Sequence, residues 1–205
     1  MSTYIHPTAI VEQGVRIGKD TKIWDNVHIR SNTHIGEECI IGEKTHIAYD
    51  VFIQNRVKIN AMVYICTAVT IEDGVMISAG TIFTNDRFPR ATTSNLKELR
   101  TSDPDEHTLP TQVHEGATIG AGCIIGCNLE IGRFAMVGMG SVVTKSIPDF
   151  HLSVGHPTRS IGYVCRCGSV LHKFSESNLD EEQTIICASC GLSYSVHKGS
   201  VKEIE

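Results

Sequence analysis

An all-β chain wound as a parallel β-helix is the fold class this sequence predicts, on three observations. A bulky apolar residue recurs at every sixth position from Ile5 through Val11, Ile17 and Ile23 to Phe83, fourteen times without a slip. The same phase resumes at Val113 and continues through Ile119, Ile125, Ile131, Val137 and Val143. The second position of many hexads is glycine, as at Gly18, Gly36, Gly42, Gly120 and Gly138. A period of six belongs neither to an amphipathic helix nor to an alternating strand. A coil with one short strand and one turn per hexad requires it.

Within the hexad, position one is the large apolar residue that fills the coil. Position five is small or β-branched, as in Val27, Thr33, Cys39 and Thr45, which suits a strand and the crowded inside of a narrow coil. Glycine at position two marks a corner where a side chain is costly or φ is unusual. Residues 1–150 are therefore assigned to the coil, 151–164 to a connector and 165–205 to a separate small module.

The phase is unbroken across residues 84–112, which makes that stretch a loop inserted into an intact scaffold. A 29-residue excursion is far longer than an ordinary connection, and such loops are usually functional or disordered. Its distal part, 102–107, is polar and suited to mobility. Its root, Phe83-Thr84-Asn85-Asp86-Arg87-Phe88-Pro89-Arg90-Ala91, mixes aromatic, amide and charged residues as a packed site does.

Net charge is −5, the sequence pI is near 6.0, and Lys and Arg form no cluster longer than a pair, so no nucleic-acid or membrane surface is expected. Met1 to Pro7 lacks a charged region followed by an apolar run, and no stretch approaches the length of a membrane span, so a cytoplasmic location is expected. Eight cysteines in a chain of 205 residues without such a leader point to reduced thiols or a metal rather than a disulfide scaffold. Cys39 and Cys123 fall at position five, where a small buried residue explains them.

Hexads such as Ile35-Gly36-Glu37-Glu38-Cys39-Ile40 resemble those of the hexapeptide-repeat acyltransferases. That resemblance implies a left-handed β-helix with three hexads to a triangular turn, and a homotrimer. Twenty hexads would make between six and seven turns, a prism about 30 Å tall at a strand spacing of roughly 4.8 Å. The string at the excursion's root, with Ile23-Trp24, Ile71-Glu72-Asp73-Gly74-Val75 and Val154-Gly155-His156-Pro157-Thr158-Arg159, resembles the subgroup of nucleotide-linked amino-sugar N-acetyltransferases that act on 3-amino sugars.

The resemblance implies acetyl-CoA as co-substrate, a UDP- or dTDP-linked 3-amino sugar as acceptor, and a product used in surface polysaccharide synthesis. It also implies Asn85 as the catalytic residue, with Asp86, Arg87 and Glu72 contacting the sugar nucleotide. Gly120, Gly138, Gly140 and Ser141 would line the acyl-CoA site, Lys145 and Arg159 its phosphates. Acetyl transfer to an amine needs a neutral amine, a donor for the developing oxyanion and a path for the proton. The Asn85 carbonyl can aim the amine, but a neutral amide is no base. The departing thiolate would then collect the proton, unless His107 or His114 assists.

Two rival classes share the repeat. In a β-helix carbonic anhydrase three histidines hold zinc, and His28, His34 and His46 all occupy position six here, His28 and His46 one turn apart. No two of them have the five-residue spacing of that pattern, which favours an outward polar ladder. A non-catalytic assembly module would not bind acetyl-CoA at all.

Past Gly162 the hexads end. Cys165-Arg166-Cys167-Gly168 is followed, across nineteen intervening residues, by Cys187-Ala188-Ser189-Cys190-Gly191. Two close cysteine pairs, each followed by glycine, predict a structural zinc ribbon that would hold an otherwise coreless segment.

Overall fold

The computed structural model describes residues 2–174 and 181–204. Its first part is a solenoid of short strands, from Tyr4–Ile5 to Val142–Val143, sorted into three parallel sheets. The first sheet begins with Tyr4–Ile5, the second with Ile10–Val11 and the third with Arg16–Ile17. Ile5 pairs with Ile23, Val11 with Ile29 and Ile17 with Ile35, so one coil takes 18 residues, or three hexads. This is the all-β architecture expected, and it accords with the left-handed coil of hexapeptide repeats. The corner after the first sheet is called here the first corner, that after the second sheet the second, and that after the third sheet the third.

Position one fills the prism. Every residue of that series from Ile23 to Ile77 is wholly buried, each burial contributing about 1.5–3 kcal/mol. The N-terminal end of the prism is open, with Ile5 44% and Val11 37% exposed. Position five brings hydroxyls into the same dry interior, and each finds a corner carbonyl. Thr21 donates to the Gly36 carbonyl (2.7 Å), Thr33 to that of Ala48 (2.8 Å) and Thr45 to that of Asn60 (3.0 Å).

Of the two reasons offered for glycine at position two, the structure selects the first. A Cβ on Gly42 would lie 2.5 Å from the Asn60 carbonyl carbon of the next coil, so the side chain is missing to let the corners stack. The positive φ falls instead at position four, on residues such as Asp20 (59°), Asn32 (59°) and Lys44 (58°). Short polar side chains tolerate that region best, and several of these corners carry Asp or Asn.

The excursion is shorter than expected. Thr111–Val113 is already a strand of the third sheet, with Val69 opposite Thr111 and Ile71 opposite Val113. The two residues Thr111 and Gln112 belong to the coil because Thr111 turns inward, is buried and donates to the Gly126 carbonyl. The segment 102–107 folds back onto the prism, where Tyr49 donates to the Ser102 carbonyl (3.3 Å) and Arg100 pairs with Asp105 (3.1 Å).

After the last coil, His151–Gly155 adds to the first sheet and turns back as Thr158–Val164, which pairs with Val170–Lys173. The boundary expected between 164 and 165 therefore falls where one sheet runs on into the tail. Gln183–Ile186, Ser193–His197 and Ser200–Ile204 form a separate antiparallel sheet. Nor is the tail coreless. Tyr194, Val196, Cys165 and Cys187 are buried with Phe150 and Tyr163, and Phe134 of the last coil packs against them. The aromatic residues supply the large buried area that a short segment of polar hairpins would otherwise lack.

Candidate active site

Position three of successive hexads on the second corner forms one edge of the prism. Tyr49, Thr67, Asn85, Cys127 and Lys145 follow one another there, coil upon coil. Asn85 is half-buried, and its Nδ2 donates to the Thr67 carbonyl one coil below (3.3 Å). That bond orients the amide. Among the described residues, its Oδ1 accepts no hydrogen bond. The excursion folds over this edge, the Asn85 carbonyl accepting from the Leu109 amide (2.8 Å), and encloses a cleft. Tyr49, Asn85, Asp86, Arg90, Arg100 and Asp105 line it.

Of the residues expected to bind the sugar nucleotide, only Asp86 shares this cleft. Its Oδ1 accepts from the Phe88 amide (2.7 Å) and closes the turn that starts the excursion. The Arg87 guanidinium lies over the Phe88 ring, 5.6 Å from its centre, and is not among the lining side chains. Glu72 stands on the third corner, away from the Asn85 edge. There its carboxylate accepts from Gln112 Nε2 (2.9 Å) and the Glu115 amide (3.0 Å) and pairs with His114 Nδ1 (3.1 Å). His114 is thus held by Glu72, while the His107 ring meets the edge of Phe88 at 5.5 Å.

The residues expected to hold the acyl donor divide into two groups. Gly120, Gly138 and Gly140 sit on the first corner. A Cβ at Gly120 would lie 2.5 Å from the Met139 amide, and one at Gly138 2.6 Å from Val154 Cγ1. The space freed by these two glycines is therefore filled by the chain itself rather than open to a ligand. Gly140, at φ 69°, faces open space. Ser141 is fully buried at position five, donating to the Gly138 carbonyl (2.7 Å) and accepting from the Gly155 amide (3.1 Å), so it joins the coil to the hairpin instead of facing a ligand. Lys145 and Arg159, 14 residues apart, do come together. With Ser146, Ser153, Thr158 and Ser160 they line one cleft between the last coil and the hairpin. Lys145 lies two coils along the edge from Asn85, about 10 Å at the usual strand spacing.

The three histidines of the rival metal reading do not gather within the chain. His34 belongs to the third sheet. On the second sheet, His28 Nε2 pairs with Glu12 (2.8 Å) and the His46 ring stacks on Tyr64 (5.3 Å). Among the described residues, the one cluster of metal-ligating groups is Cys165, Cys167, Cys187 and Cys190, whose sulfurs all lie within 4.8 Å of one another. Cys165 and Cys190 are 3.4 Å apart, Cys167 and Cys187 3.7 Å. Ser169 stands beside Cys167 and pulls its thiol down to about 6.

Residues 14–49 match the bacterial transferase hexapeptide family (six repeats). That match spans two coils of the prism. It is 44% identical over 94 residues to dTDP-3-amino-3,6-dideoxy-alpha-D-galactopyranose 3-N-acetyltransferase of Aneurinibacillus thermoaerophilus, a match covering 46% of this chain and 45% of that one. It is 43% identical over 51 residues to serine acetyltransferase of Escherichia coli K12, covering 25% of this chain and 19% of that enzyme. The matches thus span less than half the length of these curated relatives. Among solved structures it resembles a mutant of AntD, an N-acyltransferase from Bacillus cereus, in complex with dTDP and coenzyme A. The TM-score is 0.52 at 25% identity, over 80% of this chain and 82% of that one.

Sequence reasoning missed two kinds of residue in this chain. Tyr49 was legible, because it lies two coils, or 36 residues, before Asn85 on the same edge. The 18-residue period would have found it. Arg100 was not legible, since it reaches the cleft only through the fold-back of the excursion, where it donates to the Phe88 carbonyl (3.1 Å) and pairs with Asp105.

Proposed function

We propose that the chain is an acetyl-CoA-dependent N-acetyltransferase acting on the amino group of a nucleotide-linked 3-amino sugar, UDP- or dTDP-bound. The observation that carries this reading is Asn85, its side-chain amide held by one hydrogen bond in the lining of a cleft that Arg90 and Arg100 share. It is supported by the identity to a dTDP-3-amino-sugar 3-N-acetyltransferase and the likeness to an N-acyltransferase crystallised with dTDP and coenzyme A.

The amine attacks the thioester carbonyl, the carbon–sulfur bond breaks, and the proton shed by the new amide nitrogen passes to the departing thiolate. Asn85 Oδ1 accepts from the neutral amine and aims its lone pair, a gain in orientation rather than in basicity. Cationic side chains suit the phosphates of both substrates: Arg90 those of the sugar nucleotide, Lys145 and Arg159 those of acetyl-CoA.

The reading includes a homotrimer. What supports it is the outward ladder of the second sheet: Ile10, His28, His46, Tyr64, Ile82, Ile124 and Val142. Four of these seven are apolar or aromatic residues at least 42% exposed, and burial lowers the His46 pKa, so the ladder suits contact with another copy. A chain that runs as a monomer at micromolar concentration would sink the trimer. The location proposed is the cytoplasm, where both substrates are made, with the product feeding surface polysaccharide assembly.

The four-cysteine cluster fits a structural zinc. Tetrahedral thiolate bonds of about 2.3 Å place sulfurs about 3.8 Å apart, close to the separations found here. Four protein ligands leave no open position for chemistry, so the metal would serve the tail's fold.

The deciding experiment incubates the purified chain with acetyl-CoA and UDP- or dTDP-linked 3-amino sugars and follows thiol release. Release that depends on the amino sugar is expected; none with any of them would overturn the enzyme reading.

A further inference from the structure

A buried polar relay runs from the tail to the cleft of Lys145 and Arg159, and nothing in the reaction described above accounts for it. His151 opens the hairpin that follows the last coil, and its ring is 6% exposed. Its Nε2 lies 2.9 Å from the carbonyl of Gly199, in the turn between the last two tail strands. Its Nδ1 lies 2.9 Å from Ser160 Oγ, which in turn lies 3.0 Å from Ser153 Oγ. A carbonyl only accepts, so Nε2–H donates to Gly199, Nδ1 accepts from the Ser160 hydroxyl, and Ser160 accepts from Ser153. Burial pushes the imidazole pKa down, in keeping with a neutral ring.

Both serines line the cleft, and Ser160 is the neighbour of Arg159. The His151 ring also sits edge-on to Tyr163 (5.1 Å) and Phe174 (6.1 Å), so it has one well-packed place. Arg166 closes the junction from the other side, its guanidinium 4.7 Å above the Phe134 ring of the last coil and paired with Glu203 of the tail (3.2 Å).

We infer that His151 is a positioning residue through which the cysteine-rich tail holds Ser160 and Arg159 in the geometry that receives the phosphates of coenzyme A. The tail is then a buttress of the donor site rather than an appendage. The inference rests on the acyl-CoA reading, and its test separates the two.

Binding of CoA, and of pantetheine as a phosphate-free probe, is measured by calorimetry on the full chain and on His151→Ala, His151→Asn and Ser160→Ala. Wild-type protein that binds no CoA overturns the acyl-CoA reading itself. With that binding in hand, His151→Ala is expected to weaken CoA about tenfold, the scale of one lost buried hydrogen bond, and to leave pantetheine within twofold. His151→Asn keeps an acceptor near Ser160 but cannot reach Gly199. It is expected to stay as weak as His151→Ala, and it serves the same purpose if the alanine variant does not fold. The double variant His151→Ala/Ser160→Ala should be no worse than the weaker single one. Full rescue by His151→Asn, unchanged CoA affinity in the His151 variants, or equal losses for CoA and pantetheine would each overturn the inference.

Discussion

The coil and the tail of this chain are stabilised in opposite ways. In the coil, no contact is special. Each turn repeats the same buried residues, and the stability of one coil rests on the next. In the tail, a small aromatic core is joined by a few specific contacts: four sulfurs within 4.8 Å of one another, a buried Tyr194 whose hydroxyl lies 3.1 Å from Cys165 Sγ, and His151 on Gly199. A repeat spreads its stability over many equal parts, whereas a small non-repeating segment concentrates it.

The sharpest way to break that comparison is to remove the metal proposed for the tail. Cys165→Ser, or treatment with a strong chelator, is expected to make residues beyond 164 protease-sensitive while the β-sheet circular dichroism of the coil persists. Structural zinc sites of this kind contribute on the order of 10 kcal/mol in isolated peptides. A coil that unfolds together with the tail would show that the two are one cooperative unit.

Within the coil, the expected cost depends on depth alone. Ile59→Ala, at a fully buried position, should lose about 2–5 kcal/mol in urea unfolding. Ile5→Ala, at the open end where the same side chain is 44% exposed, should lose less than about 1.5 kcal/mol. Equal losses would show that burial depth does not set the cost.

Asn85 occupies an ordinary corner of this scaffold, so chemistry and stability should separate there. Asn85→Ala is expected to lower kcat about a hundredfold, the usual scale for lost orientation, with the unfolding midpoint nearly unchanged. A variant of full activity would remove Asn85 from the mechanism.

The smallest expected effect is a response to acid. The ordinary pKa of a histidine is 6.5, and burial depresses that of His151. The ring takes up a proton more readily when the tail is open. The contribution of His151 to the tail's hold is therefore complete above the ordinary value and weakens as pH falls through the lowered one. Release of zinc to a colorimetric chelator between pH 8 and 5 should precede any change in the coil. Simultaneous loss would sink the assignment.

The legibility of the two regions differs for the same reason. The prism could be read from Ile5 to Val143 because a period needs no knowledge of distant contacts. That Asn85 stands at the root of the excursion was readable from its string, and the grouping of the four cysteines from their spacing. The roles of Gly120, Gly138 and Ser141 were not, because a glycine that admits a ligand and one that admits the next coil look alike in sequence. Glu72 falls on the third corner, a placement that the 18-residue turn decides and the six-residue hexad alone does not.

Sequence alone determined that this chain is a six-residue solenoid, interrupted once without loss of phase and followed by paired cysteines. Local periodicity and local spacing are enough for that. Only the tertiary structure decided which side chains meet. Arg100 reaches the Asn85 cleft, Arg159 joins Lys145, and His151 ties the tail to both serines, because these contacts depend on how non-repeating segments fold back. No period encodes that path, and long-range packing sets it residue by residue.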